Sequence, residues 1–277
     1  MSAVVAGRLL EVGVAVSDLS AASEHFTHLL RAPISEPIEE RDAFGLRFTM
    51  CRVARADFEI MQSIDTEGLV ARFVARQGEG LHHIAFEIED AQSAMQVLRQ
   101  RGVPVLGGEK PVELANLKAF FIHPSCFGGM LIEFVQNLHP WLDGVAYRPR
   151  PDADGIDARR IVGLTAAVDN VDRVLLALSE LLGATPSANP EARVGESGSR
   201  SCQIGDIALT LWPESASRRK GFQSVSIEVN DLDESVSRLR SLGADIRYDA
   251  GHQTVSRSMV VSLAGFHGVS VELVSDR

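Results

Sequence analysis

The sequence predicts an α+β protein built from four βαβββ units, which pair into two domains with open mixed sheets. Two observations lead to this fold class: one opening pattern recurs four times, and a polar segment separates the second copy from the third. Such a recurrence is typical of one supersecondary unit used several times. The 277 residues also suffice for two domains, each with a core of its own.

The four opening segments share an alternating strand, a turn led by Asp or Asn, and an amphipathic helix that ends before a glycine such as Gly183. In chain order they are LLEVGVAVSDLSAASEHFTHLL, HHIAFEIEDAQSAMQVLRQRG, IVGLTAAVDNVDRVLLALSELLG and QSVSIEVNDLDESVSRLRSLG. In the first copy Val12, Val14 and Val16 alternate with small or polar residues, so one face of the strand is apolar. We expect the helices to cover that face and the other face to stay free.

Further strands follow each helix. They read LRFTMCRV and DFEIMQSI in the first unit, AFFIHP and MLIEFVQ in the second, SCQIGDIALTLW in the third, and SMVVSLAG and GVSVELVS in the fourth. A stretch dense in Pro, Gly and Asp predicts a linker at residues 139–160. The sequence therefore predicts a first domain at residues 1–138 and a second at residues 161–277.

The chain is acidic, with a formal net charge of -10 at pH 7. It lacks the basic surface that nucleic acid or an anionic membrane would attract, so we expect a small-molecule substrate and neither of those partners. No segment approaches the length needed to span a bilayer, which predicts a cytoplasmic protein, either a monomer or a homodimer. Cys51, Cys126 and Cys202 are widely spaced, which predicts free thiols.

Four side chains of metal-ligand type recur at matching positions. When the first unit is superposed on the second, Glu11 falls opposite His83 and Glu59 falls opposite Glu133. Strand alternation places Glu11 and His83 on the face away from the helices, and His82 on the opposite face. The four side chains therefore surround a pseudo-twofold axis.

Carboxylates that share one concave surface repel each other unless they are protonated or held by a cation. A divalent metal held by Glu11, Glu59, His83 and Glu133 would remove this conflict. The oxygen-rich set suits Mn, Mg, Fe or Co, with Zn and Ni as further choices. The alternative is that these groups are solvated or ion-paired, as single Glu and His residues on strands usually are. Their matching repeat positions favour the metal.

Two segments, GEGLHHIAFEIED and FIHPSCFGGMLIEF, closely resemble the methylmalonyl-CoA epimerase family of the vicinal oxygen chelate (glyoxalase/bleomycin resistance/dioxygenase) superfamily. The resemblance covers about residues 8 to 138. It implies glyoxalase-like domains with open sheets, a divalent metal, and a substrate that is a CoA thioester. It also implies proton abstraction next to the thioester, with paired carboxylates and the metal stabilising the enolate.

Carried over residue by residue, the resemblance makes Glu59, His83 and Glu133 metal ligands. Glu11 stands where the family has its first ligand, a histidine, and it joins Glu133 as a candidate base. The family's second catalytic Glu aligns with Ala43, and Asp42 is one residue away, so Asp42 is the third catalytic candidate.

The loop after the predicted strand AFFIHP offers two further candidates. The resemblance implies that His123 and Ser125 line the mouth of a substrate pocket. The alternative role for both is a structured turn before the closing strand.

In the second domain the positions equivalent to Glu11, Glu59, His83 and Glu133 are Gly163, Ala208, Ser224 and Glu272. A single carboxylate cannot hold a divalent ion tightly, so this domain is expected to lack a metal site.

Three functions fit the sequence. The first is a metal-dependent isomerase or lyase that acts on an acyl thioester or related carbonyl compound. The second is a non-haem Fe(II) dioxygenase, although such enzymes normally present two His and one carboxylate. The third is a metal-free binding protein of the antibiotic-resistance type, which the empty second domain favours.

Overall fold

The computed structural model describes residues 3–114, 117–137, 145–149, 153–187, 198–215, 218–247, 257–262 and 266–275. Within these residues the chain forms two open mixed sheets and five α-helices, which confirms the predicted α+β class. None of these helices is both long and apolar enough to cross a bilayer.

The first sheet has eleven strands in the order β11-β2-β4-β5-β1-β6-β10-β9-β7, with β3 paired to β4 and β8 paired to β9. The strands are β1 Leu9–Ala15, β2 Ile34–Ser35, β3 Ile38–Glu40, β4 Leu46–Val53, β5 Ala56–Ser63, β6 Gly80–Glu87, β7 Val105–Leu106, β8 Val112–Leu114, β9 Leu117–Ile122, β10 Leu131–Asn137 and β11 Tyr147–Arg148. Its helices are α1 Leu19–Leu30, α2 Leu69–Gln77 and α3 Ala91–Gln100, and a 3-10 turn spans Pro124–Phe127.

The second sheet has eight strands in the order β13-β14-β15-β12-β16-β19-β18-β17. They are β12 Ala158–Val168, β13 Thr185–Pro186, β14 Arg200–Ile204, β15 Ile207–Pro213, β16 Gly221–Val229, β17 Asp245–Arg247, β18 Arg257–Ser262 and β19 Ser270–Ser275. Its helices are α4 Val171–Leu182 and α5 Leu232–Ser241.

The two sheets share one central arrangement. In the first sheet β1 runs parallel to β5 and antiparallel to β6, and β6 runs parallel to β10. In the second sheet β12 stands to β15, β16 and β19 in the same relations. Part of the predicted linker takes part in this structure, because β11 pairs with β2 and β12 begins at Ala158. Linker residues 139–144 and 150–152 lie outside the described residues.

Four of the helices begin at the predicted turns. Their capping residues, Asp18, Asp90, Asn170 and Asp231, each accept a hydrogen bond from the backbone N–H three residues on. This contact satisfies one of the N–H groups that the first helical turn leaves unpaired. Gly183 ends α4 in the left-handed conformation, with φ at 72°.

One continuous apolar core includes residues of both sheets and of α1, α3, α4 and α5. The two parts of the chain are also joined by backbone pairing, because the N–H groups of Val4 and Ala6 donate to the carbonyls of Leu181 and Leu182. The side chain of Asp206 accepts from the N–H of Leu9 at 2.7 Å.

Helix α2 was not predicted, and it changes the expectation of a free face. Its buried Val70 and partly buried Phe73 and Val74 join a second apolar cluster with Met61 and Ala85, on the face of the first sheet opposite α1 and α3. Only Val70 of the helix is fully buried, and Gly68 precedes it without a side-chain cap, so the capping signal that marks the other four helices is absent. The face that carries the candidate ligands is therefore partly covered.

Candidate metal centre

The four candidate ligands lie on the four central strands of the first sheet. Glu59 is on β5, Glu11 on β1, His83 on β6 and Glu133 on β10. The register places Gly13 between Glu59 and His83 in one row across the sheet. In the next row Ala85 lies between Glu11 and Glu133. A ligand therefore alternates with a small residue, which leaves space above the sheet.

Gly13 is required by the imidazole beside it. A Cβ atom at this position would lie 2.3 Å from both Cε1 and Nδ1 of His83, closer than real contacts allow. The absence of a side chain at Gly13 thus lets the ring of His83 lie across β1.

The ligand atoms converge. One ligand atom from each of Glu11, His83 and Glu133 lies within 4.8 Å of the other two. Nε2 of His83 lies 3.3 Å from Oε2 of Glu133 and 3.4 Å from Oε2 of Glu59. It is buried and makes no hydrogen bond of acceptable geometry to either carboxylate. A buried polar atom without a partner is costly, and here it faces a space between carboxylates.

The other ring nitrogen of His83 is held by its neighbour. Nδ1 of His83 lies 3.1 Å from Nδ1 of His82, whose ring packs edge-on against Phe73 of α2. Burial, and secondarily the charge of His83, lower the pKa of His82 to about 3. A neutral His82 can accept the proton of His83 Nδ1, so Nε2 is the nitrogen of His83 that would bind a cation once the ring is in its neutral form.

The prediction that His82 points to the opposite face is wrong. Gly13 pairs with His83 but Val14 pairs with Leu81, so the register shifts at His82. A bulge of this kind adds one unpaired residue and breaks the alternation of side chains.

The carboxylates are electrostatically crowded. Burial, and then the charges of Glu59, Glu133 and Asp57, raise the pKa of Glu11 well above its usual value. The pKa of Glu59 is raised to about 7, chiefly by burial; the charge of His83 offsets part of this rise, and Glu133 and Asp57 add to it. Burial alone would lower the pKa of His83, but the carboxylates of Glu133 and Glu59 outweigh it and raise that pKa. A cation at this position would relieve the repulsion among the carboxylates.

A neighbouring cluster that the sequence analysis missed lies beside Glu11 in the sheet. Asp57 is the strand partner of Glu11 and is 0% exposed. The guanidinium of Arg52 binds it at 3.0 Å, and the hydroxyl of Tyr147 donates to its Oδ1 at 2.9 Å. Arg52 also lies over the ring of Tyr147. The available signal was the alternation in DFE, which puts Asp57 and Glu59 on one face.

Asp42 lies in the exposed loop between β3 and β4, outside this group of contacts. The carboxylate of Glu40 shapes that loop by accepting the N–H groups of residues 42, 43 and 44. Phe44 then packs against Phe121, and Phe121 packs against His83. The loop thus contributes an aromatic wall to the site, and a catalytic role for Asp42 stays a prediction.

His123 and Ser125 form a capped turn. Nδ1 of His123 accepts from the N–H of Ser125 at 3.2 Å and lies 2.8 Å from its hydroxyl. The turn packs on the second sheet's side of the molecule, since a Cβ atom at Gly128 would meet Val168 at 2.7 Å. The structural role weighed from the sequence is therefore present, and substrate contact by either residue stays a prediction.

In the second sheet the equivalent positions carry hydroxyl groups. Thr165 pairs with Ser224 and Thr210 as Gly13 pairs with His83 and Glu59. The equivalent of Glu59 is therefore Thr210 and not Ala208, because Ala208 lies opposite Gly163 as Asp57 lies opposite Glu11.

These hydroxyl groups bind one another. Oγ1 of Thr165 lies 2.7 Å from Oγ of Ser224, and Ser226 donates to the buried Glu272 at 2.7 Å. Among the described residues, the cluster of three potential ligands is found in the first sheet and not here.

Sequence comparison relates the first half of the chain to known proteins. The family model described as Glyoxalase/Bleomycin resistance protein/Dioxygenase superfamily matches residues 11–121. Ethylmalonyl-CoA/methylmalonyl-CoA epimerase of Cereibacter sphaeroides is 32% identical over 132 residues, which are 47% of this chain and 98% of the relative. Mitochondrial methylmalonyl-CoA epimerase of Homo sapiens is 27% identical over 133 residues, 47% of this chain and 74% of the relative.

The fold of the whole chain also has a solved counterpart. A mutant of 4-hydroxymandelate synthase from Streptomyces coelicolor superposes with a TM-score of 0.71 at 15% identity, covering 98% of this chain and 92% of that one. At this identity the likeness concerns the fold alone. Since the sequence relatives match about half of the chain and the structural counterpart nearly all of it, the two-sheet architecture extends beyond the epimerase-like part. The chain therefore belongs to the glyoxalase/bleomycin resistance protein/dioxygenase superfamily, and its N-terminal half is related to methylmalonyl-CoA epimerase.

Proposed function

We propose that the N-terminal half is a metal-dependent isomerase or lyase that removes a proton next to the carbonyl of an acyl thioester or a related compound. One observation carries this proposal: the buried Nε2 of His83 has no hydrogen-bond partner and faces the carboxylates of Glu59 and Glu133. An imidazole that binds a metal needs a nitrogen left open in this way, whereas a structural histidine would normally donate or accept a hydrogen bond at that atom.

The residues present fit a divalent ion. One imidazole with carboxylates is a hard, oxygen-rich donor set, which suits Mn, Mg, Fe(II) or Co and tolerates Zn or Ni. Glu11, Glu59, His83 and Glu133 would hold the ion. When bound, it would act as a Lewis acid on the carbonyl oxygen of the substrate.

Glu11 and Glu133 are the proposed bases. They lie on β1 and β10, one on each side of Ala85, so a substrate carbon above Ala85 would have a carboxylate on either side. One carboxylate would take the proton from the carbon, and the other would supply a proton to the opposite face, which inverts the configuration. Burial of both groups keeps water from competing for that proton.

The substrate class rests on the relatives. Their names specify ethylmalonyl-CoA and methylmalonyl-CoA, so we propose a short branched acyl thioester for this chain as well. The apolar side chains of Phe44 and Phe121 beside His83 supply a wall of suitable character for a short acyl group.

Metal content distinguishes the proposal from a metal-free binding protein. We expect about one equivalent of divalent metal at the first sheet, measured by elemental analysis, and its loss in Glu133→Gln and in His83→Ala. Changes around a metal's ligands alone cost about 10- to 100-fold in affinity, so loss of a ligand should cost more. Glu272→Gln is the matched control, because Glu272 holds the equivalent position in the second sheet without an imidazole.

The reaction is tested by exchange in heavy water. With ethylmalonyl-CoA or methylmalonyl-CoA, the protein should incorporate deuterium at the carbon next to the thioester carbonyl, and Glu133→Gln should reduce the rate by about 100-fold or more. If the protein holds no metal and binds these thioesters equally well in wild type and Glu133→Gln, the enzyme proposal fails and a binding function takes its place.

A further inference from the structure

A short turn of the second half, residues 266–269, packs against the first half. Phe266 packs on Phe26 of α1 with ring centroids 4.8 Å apart, and the N–H of Val269 donates to the carbonyl of Phe266. A Cβ atom at Gly268 would lie 1.9 Å from the carbonyl oxygen of Glu79, so the backbones touch. His267 lies between Phe266 and Gly268 and is therefore fixed in place, with φ at 49°.

The imidazole of His267 is oriented by a carboxylate. Its Nδ1 lies 2.6 Å from Oε2 of Glu79. The other oxygen of Glu79 accepts from the N–H and the hydroxyl of Ser17, which holds the carboxylate still. A carboxylate on Nδ1 sets the proton there and leaves the lone pair on Nε2. Carboxylates that accept the other ring N–H orient metal-binding histidines in this way.

Nε2 of His267 faces a second imidazole. It lies 3.0 Å from Nδ1 of His25 on α1, and the two rings are stacked. Nitrogens that share an ion at about 2.1 Å lie about 3.0 to 3.4 Å apart, so the pair already has the required separation. The site is open to solvent, since His25 is exposed and the side chain of His267 retains 11% exposure. His28 follows one turn later on the same side of α1.

We propose that His25 and His267 form a second metal site, for Zn²⁺, Cu²⁺ or Ni²⁺, which clamps α1 to the second half of the chain. Paired imidazoles favour these ions, whereas the first site is rich in oxygen. Water completes the coordination, and Glu79 acts through His267 without binding the ion. The proposal does not depend on the catalytic role of the first sheet.

The experiment counts bound Zn²⁺ by calorimetry on the full chain after chelation. Wild type should bind two equivalents, and His25→Ala and His267→Asn should each bind one. Asn at position 267 removes the imidazole but still tolerates the left-handed backbone, so the second variant separates metal loss from misfolding. Ser20→Ala, an exposed change on the same helix, is the control and should bind two.

A spectroscopic readout identifies the ligands. Cu²⁺ added to wild type should show hyperfine coupling to two imidazole nitrogens in addition to the signal of the first site, and this component should disappear in His25→Ala. The proposal is overturned if both histidine variants bind as much Zn²⁺ as wild type; a wild type that binds one equivalent, lost in both variants, instead supports this site and counts against the first one. Because Glu133→Gln empties only the first site, failure here is separable from failure of the proposed function.

Discussion

Gly13 lies between Glu59 and His83, and any side chain at this position would displace one of these candidate ligands. In Gly13→Ala the new methyl group would overlap the ring of His83, so the ring or β1 must move. We expect a loss of about 1–3 kcal/mol in the free energy of unfolding, together with the loss of metal bound by the first sheet. Urea unfolding and elemental analysis measure the two effects. Gly108→Ala is the control, because a Cβ atom there meets nothing within 4 Å; equal behaviour of the two variants would contradict the role given to Gly13.

The three thiols should differ in reactivity. Cys51 and Cys202 are fully buried, and burial raises the pKa of both, that of Cys202 to about 12. Cys126 is partly exposed, and its pKa is raised by burial to a smaller extent. Because the thiolate is the reactive form, we expect a disulfide reagent at pH 8 to modify Cys126 alone in the folded protein. Peptide mapping checks this, and modification of Cys51 before unfolding would count against the buried positions described.

At the scale of elements, α2 is the part of the fold most directly coupled to the site. Phe73 supports His82, which in turn supports His83. We expect Phe73→Ala to lower the free energy of unfolding by about 1–2 kcal/mol, since the ring is only partly buried, and to weaken metal binding at the first sheet. Arg76→Ala, exposed on the same helix, should leave both unchanged. Calorimetric titration of Mn²⁺ gives the affinities. A Phe73→Ala protein with wild-type affinity would contradict the coupling between α2 and the metal site.

The sequence was sufficient for the elements that repeat. Alternation and Asp or Asn caps located the four long helices and the central strands, because local signals dominate there. It was insufficient wherever the backbone departs from regularity. Strand parity cannot reveal the bulge at His82, and the match of Ala208 to Glu59 was two residues out, because register depends on the partner strand.

The candidate site shows the same limit. The convergence of Glu11, His83 and Glu133 followed from repeat positions alone. The hydrogen bond of Tyr147 and the ion pair of Arg52 to the neighbouring Asp57 could not be predicted in this way, because Tyr147 comes from a segment that the sequence presents as a linker. Long-range pairing of this kind leaves no periodic pattern to read.

For the whole molecule, the shared core argues against independent unfolding of the two halves. Apolar residues from both sheets form one cluster, and hydrogen bonds from Val4, Ala6 and Leu9 cross between the halves. We therefore expect one cooperative transition in urea, with coincident curves from circular dichroism and fluorescence. Trp212 is buried in the second half, and Trp141→Phe makes it the single reporter.

The same variant also tests coupling to the metal. An ion that binds only the folded first sheet should shift the Trp212 transition to higher urea, although Trp212 lies in the other half. Separate transitions for the two probes would instead show that each half unfolds alone.

The hydroxyl pairs of the second sheet have a consequence for how the duplicated fold is used. Thr165 and Ser224, like Ser226 and Glu272, hydrogen-bond to each other within the chain, so these four residues need no divalent ion to neutralise them. The first sheet holds four acidic groups close together, and their mutual repulsion is not fully relieved within the chain. We expect the second half to serve as a permanent template: it keeps the N-terminal half docked and shaped during metal shortage, ready to load an ion when supply returns.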